Sequence, residues 1–343
     1  MRKQLILLLA FPSILFSQEN IKFSESIVVE DLERHLNILA SDSLEGRETG
    51  KPGQKMAANY IMNHFKSLGI PPYKKKTYYQ KFKVKSGRHL CKCDDCDQSL
   101  VKKIFGNKKK IKGENVLGYI EGTDLKNELI IITAHYDHLG KHDSLIFNGA
   151  DDNGSGTVAV MEIAEAFMLA KKVGNGPRRS VLIMAVSGEE KGLLGSKYYA
   201  DHPIYPLEKT VANLNIDMIG RIGDFKENPN YVYLIGADRL SQELHNISEQ
   251  INKEHIGLEL DYTFNKHDDP NRYYYRSDHY NFAKNNIPVI FYFNGIHEDY
   301  HKVTDTVEKI DFKKIETITR LVFLTAWELA NRDERIELNK VEY

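Results

Sequence analysis

Histidines and acidic residues gather in a few short runs along the 343-residue chain: His135-Tyr136-Asp137-His138, Asp151-Asp152, Glu189-Glu190, Asp217 and His297-Glu298-Asp299-Tyr300-His301. Carboxylates and imidazoles crowded into one place repel each other or take up protons unless a cation sits among them. Imidazole nitrogen and carboxylate oxygen are the donors that a catalytic zinc takes while leaving one position open for water. The chemistry this pattern points to is a metal centre, provided the fold brings the runs together.

The elements between the runs give the means. Glu128 to Ala134 is an apolar, β-branched stretch that reads as a buried strand, as do Ser180 to Val186, Val211 to Asp217 and Ile287 to Phe293. Tyr78 to Lys85, Asn115 to Ile120 and Tyr231 to Gly236 add further strands. Helical spacing marks Ile27 to Ala40, a stripe of Ala57, Ile61, Phe65 and Leu68, then Gly156 to Lys172, Gly192 to Ala200, Arg239 to Glu254, Asp278 to Asn285 and Asp311 to Ala330. Strands alternating with helices predict a three-layer α/β/α sandwich on a central, mostly parallel mixed sheet. Asp137, Glu189-Glu190 and Asp217 fall just past the C-terminal ends of predicted strands, and His301 follows the strand ending at Phe293. Open α/β sheets build their sites along that rim.

With these motifs in place, the chain resembles the zinc-dependent aminopeptidases that include bacterial leucyl aminopeptidase, glutamate carboxypeptidase and, more distantly, glutaminyl cyclase. The likeness runs from Leu44-Glu45-Gly46-Arg47 to Asp305-Thr306 and rests on Ala134-His135-Tyr136-Asp137, Gly149-Ala150-Asp151-Asp152-Asn153, Ser187-Gly188-Glu189-Glu190, Asn215-Ile216-Asp217-Met218 and Tyr300-His301. It implies two zinc ions per chain: His135 and Asp217 on one, Glu190 and His301 on the other, Asp151 bridging them. It further implies Glu189 as general base toward a hydroxide shared by the two ions, and Asp137 orienting His135. A cis peptide at Asp151–Asp152 would follow the bridging carboxylate. The expected reaction is removal of N-terminal residues from peptides with a free N-terminus. Carboxypeptidase and glutaminyl cyclase are the alternatives on the same fold, and a catalytically dead binding ectodomain is the alternative of another class. Tyr300 is a candidate oxyanion donor, Met218, Tyr274 and Tyr275 are candidates for the side-chain pocket, and Asp305 is a candidate partner of His301.

His297-Glu298-Asp299-Tyr300-His301 also spells His-Glu-x-x-His, a zinc motif only when a helix puts both histidines on one face. Here it follows Phe293-Asn294-Gly295, a turn after a strand, so only His301 is expected at a metal. His138, His142 and His279 are expected to be hydrogen-bonded side chains. Arg221, Arg272 and Arg276 do not form the arginine set that a terminal carboxylate would ask for.

The 47 basic residues nearly cancel the 48 acidic ones, which gives no nucleic-acid signal. Met1-Arg2-Lys3 followed by an apolar run to Phe16 reads as a signal peptide over 1–17, leaving one peptidase domain over 18–343, secreted or periplasmic, with no membrane span in the mature chain. Cys91, Cys93 and Cys96 then suggest one disulfide and one spare thiol, in a pairing that stays open.

Overall fold

The computed structural model describes residues 21–73, 76–85 and 110–340. The signal-peptide pattern, the three cysteines and the lysine-rich stretch at 102–109 lie outside them. No helix among the described residues is long and apolar enough to cross a membrane.

Among the described residues an eight-stranded sheet forms the centre of the fold. Its strands are β1 (Tyr79–Lys85), β2 (Lys110–Ile120), β3 (Leu125–His135), β6 (Arg179–Val186), β7 (Thr210–Ile216), β8 (Tyr231–Ile235), β9 (Glu259–Asp261) and β10 (Val289–Phe293). A separate hairpin, β4 (Gly140–His142) with β5 (Leu145–Phe147), lies in the loop after β3 and has no counterpart in the sequence reading. The sheet order is β1-β2-β6-β3-β7-β10-β8-β9. β6, β3, β7 and β10 run parallel, while β1, β2 and β8 pair antiparallel with their inner neighbours. The expected mostly parallel mixed sheet is present, although β6 inserts between the sequence-consecutive β2 and β3.

Alternation within β3 explains the layers. Ile130, Ile132 and Ala134 face one core, together with the helices α1 (Val29–Leu39), α2 (Pro52–Ser67), α3 (Gly156–Lys172), α5 (Gln242–Ile251) and α7 (Phe312–Asn331). Leu129 and Ile131 face the other, with Tyr199 of α4 (Leu194–Asp201) and Phe282 of α6 (Tyr280–Ala283). Being covered on both faces is why β3 is a continuous apolar run rather than an alternating one. Each buried Leu, Ile and Phe among these, removed from water, contributes about 1.5–3 kcal/mol. Side chains capping helix starts are few: Asp311 accepts from Lys314 N at 3.0 Å and Ser241 from Leu244 N at 3.2 Å.

Register brings the chemistry to one edge. His135 lies level with Val186, two residues before Gly188, and Thr133 pairs Asn215, which sets Asp217 beside His135. Ile216 pairs Tyr292, so the loop after β10 emerges at the same rim.

Candidate metal centre

At that rim His135, Asp152 and Asp217 offer one ligand atom each within 4.8 Å of one another, and His138, Asp152 and Glu190 do the same. His135 Nε2 lies 3.4 Å from Asp152 Oδ1 and 3.3 Å from Asp217 Oδ1. His138 Nδ1 is 2.9 Å from Glu190 Oε1, and His301 Nε2 is 3.1 Å from Asp152 Oδ2 and 3.4 Å from Glu190 Oε2. Asp152 therefore belongs to both groups, one of its oxygens facing each. Both ring nitrogens of His138 and Oε1 of Glu190 are buried without a hydrogen bond of good geometry. Unsatisfied buried donors and acceptors are costly, and a cation is the group this set of nitrogens and carboxylate oxygens would satisfy.

The surroundings hold these side chains in place. Asp305 accepts from the backbone N–H of Asp151 and of Asp152, at 3.0 and 3.1 Å. Asn153 joins this loop to the end of β7, its amide donating to Ile216 O at 2.8 Å and its Oδ1 accepting from Met218 N at 3.2 Å. Ser277 donates to Asp217 Oδ2 at 2.6 Å and accepts from Asn215 at 2.9 Å. Met218 sits at φ 57°, a region that β-carbon sterics make uncommon, held there between Asn153 and Asn294 N. Asp137 accepts from Thr49 at 2.6 Å and from Glu189 N at 3.2 Å. His135 Nδ1 meets the Asp137 carbonyl at 3.1 Å, closer than the 3.9 Å to its carboxylate.

Beneath the loops lies Arg47, 1% exposed. Its guanidinium donates to the carbonyls of Leu39, Tyr136, Asn148 and Gly149 at 2.6–2.9 Å. One cation thus ties the loop after β3 to the loop that carries Asp152. Burial pulls its pKa down to about 10, against nearby carboxylates led by Asp305. Neither the role of Arg47 nor that of His138 was visible in the sequence. The only signals were an arginine in a turn-rich stretch and a second histidine three residues after His135.

Burial pushes the Glu189 carboxyl well above its ordinary range, His135 pulls it back, and Glu190 and Asp217 push the same way as burial. Burial acts alike on Glu190, but His138 and His301 outweigh it and hold that carboxyl low. Two adjacent glutamates thus keep opposite protonation preferences.

The model of peptidase family M28 matches residues 115–326, which run from the middle of β2 through most of α7 and include every candidate metal donor above. The chain belongs to peptidase family M28. It is 30% identical over 210 residues to a probable leucine aminopeptidase of Trichophyton verrucosum (strain HKI 0517), covering 59% of this chain and 54% of that protein. It is 27% identical over 250 residues to the aminopeptidase YwaD of Bacillus subtilis (strain 168), covering 70% of this chain and 49% of that one. The chain spans about half the length of these curated relatives. The crystal structure of the Legionella pneumophila LapA aminopeptidase shares the fold, with a TM-score of 0.68 and 21% identity over 97% of this chain and 79% of that one.

Against this M28 frame several expectations need correction. Asp151 stands outside the cluster: its Oδ1 accepts from Gly220 N at 2.6 Å and its Oδ2 faces His297 Nε2 at 3.2 Å. Successive side chains leave the backbone in different directions, and here the loop, turning at Gly149 with φ 55°, sends only Asp152 to the rim. The cis peptide is Asp152–Asn153, not Asp151–Asp152. Asp305 supports the Asp151–Asp152 backbone rather than His301. The His-Glu-x-x-His run forms turns, not an α-helix, so His297 points to Asp151 while His301 reaches Asp152.

Next to the donors opens a pocket, open to solvent on one side, whose lining includes Glu189, Met218, Tyr300 and His301 together with Tyr273, Arg276 and Phe291. Tyr300 stacks on the His301 ring at 3.9 Å. Tyr275 does not line it: residues 273–275 form a 3₁₀ turn whose successive side chains diverge, so Tyr273 faces the cavity. Tyr275 is 38% exposed, packed on Tyr280.

Proposed function

We propose that the chain is a two-zinc aminopeptidase, exported through the signal-peptide pattern at 1–17, with residues 18–343 forming one peptidase domain. The observation that carries this reading is the shared Asp152, with one oxygen toward His135 and Asp217 and the other toward Glu190, His138 and His301. His135, Asp152 and Asp217 would hold one ion, and Asp152, Glu190 and His301 the other, with His138 beside Glu190. Bound there, the ions would supply Lewis acidity and bring water's pKa within reach of neutral pH.

The chain's own residues supply the rest. Glu189, next to Glu190 but turned to the cavity, takes the proton of the attacking water and delivers it to the leaving amine. Asp137 fixes Glu189 by accepting its backbone N–H and fixes His135 through its carbonyl. The acidic rim receives the α-ammonium of the substrate, and Tyr300 donates to the oxygen that gains charge. A carboxypeptidase would present several free guanidiniums. Arg221 instead is paired with Asp299 at 3.0 Å and Arg272 does not line the pocket, which leaves Arg276 as the one guanidinium there.

The test is zinc content by elemental analysis together with hydrolysis of leucyl-p-nitroanilide, with and without chelator, in wild type and Glu189→Gln. Two zinc ions in both proteins, chelator-sensitive hydrolysis in wild type and about 10²–10⁴-fold less in the variant are expected. Substantial turnover by Glu189→Gln refutes its role as the base.

A further inference from the structure

Resting on the aminopeptidase reading above, we propose that Arg276 makes the pocket select substrates that carry a second, negatively charged carboxylate group. The cavity wall away from the metal donors is apolar, built from Met218, Tyr273, Phe291, Phe293 and Ile296. At the solvent-exposed edge of this wall stands one cation, Arg276. Among the described residues no carboxylate lies within 4.0 Å of its guanidinium. Its neighbours differ. Arg221 is neutralised by Asp299 at 3.0 Å, and Arg239 donates to the carbonyls of Asn265 and Lys266.

The guanidinium lies 4.9 Å from the centre of the Tyr273 ring, a cation–π contact that restrains its plane without consuming its charge. Its backbone is anchored as well, because the next residue, Ser277, is hydrogen-bonded to both Asp217 and Asn215. Arg276 is thereby held in register with the metal donors. An apolar lining with a charged fork among it fits a short methylene stem ending in a carboxylate, which an arginine receives bidentately. Two sources present that group once the α-ammonium is at the acidic rim: the side chain of an N-terminal Asp or Glu, and the C-terminal carboxylate of a di- or tripeptide.

The full zinc-loaded chain is assayed with glutamyl- and leucyl-p-nitroanilide, and with leucyl-glycine and leucyl-glycinamide, in wild type, Arg276→Leu, Arg276→Gln and Arg276→Lys. Ratios of kcat/KM are taken within each protein, so a general loss of activity cancels. One acidic-to-neutral ratio is expected to fall by about 10- to 100-fold in the Leu and Gln variants, the span of one lost charge-assisted hydrogen bond, and to recover in part with Lys. A fall in the glutamyl/leucyl ratio names an acidic N-terminal residue, and a fall in the glycine/glycinamide ratio names a short peptide's terminus. Calorimetric titration of L-glutamate and L-leucine into the same proteins should show the same dependence on Arg276 if the side chain is the source. Active protein with neither ratio altered overturns the proposal. A zinc-loaded wild type inert toward all four substrates overturns the aminopeptidase reading itself.

Discussion

Replacing Arg47 with Met tests whether one buried cation holds the metal-binding loops in register. The side chain volumes are similar, so the change removes chiefly four donated hydrogen bonds, to Leu39, Tyr136, Asn148 and Gly149. Each bond from a charged donor is worth about 1.5–3 kcal/mol, and each carbonyl left dry costs about 1–3 kcal/mol. Removing the guanidinium also removes its own desolvation penalty, several kcal/mol for a charge as buried as this one. Four such bonds, about 6–12 kcal/mol together, outweigh that penalty and leave a net loss of several kcal/mol, a large part of the whole stability of many domains. Urea unfolding at matched zinc and protein concentration reads this directly, and zinc content reads the loops, since Gly149 and Tyr136 flank Asp152 and Asp137 in the chain. Arg47→Lys should recover part of the loss, because one ammonium reaches fewer of the four carbonyls. A Met variant within ~1 kcal/mol of wild type that keeps its full metal would refute the reasoning.

On the proposed two-zinc reading Asp152→Asn should cost both ions, whereas Asp151→Asn should retain them and lose some stability through the Gly220 and His297 contacts; elemental analysis of the two variants side by side decides it. A separate buried group, away from the rim, makes stability depend on pH. Glu162 Oε1 lies 3.4 Å from His35 Nε2, and burial raises the Glu162 pKa to about 8 while lowering those of His35 and His64 to about 4. Between pH 4.5 and 8 the folded state holds the Glu162 proton that the unfolded chain has released, so stability falls as pH rises. Between 6.5 and about 4 the unfolded chain protonates its histidines first, so stability falls as pH falls. These groups by themselves place an optimum near pH ~6.5 and a loss of about 1 kcal/mol by pH ~8. Glu162→Gln should flatten that alkaline limb in urea titrations, and an unchanged slope would dismiss the assignment.

The site was legible in the sequence as a class of donors at a class of position. Apolar runs such as Glu128 to Ala134 announce buried strands, and polar residues appearing abruptly at their ends announce the rim where the parallel strands finish. His135, Glu190, Asp217 and His301 could be gathered that way, with the choice of Glu190 over Glu189 resting on the likeness to the zinc aminopeptidases and that of His301 over His297 on the turn after Phe293. The Asp151-Asp152 pair could not be resolved, since two adjacent carboxylates have the same chemistry and differ only in direction. The turn at Gly149, the two backbone N–H groups donated to Asp305 and the bridge through Asn153 set that direction, and all of them depend on residues distant in sequence. His138, Arg47 and Arg276 were hidden for the same reason. Whether an imidazole is orphaned, an arginine is buried or a guanidinium is left without a carboxylate depends on which segments close over it. Residue type and spacing determined what chemistry this protein can hold, and packing between distant segments decided which atoms hold it.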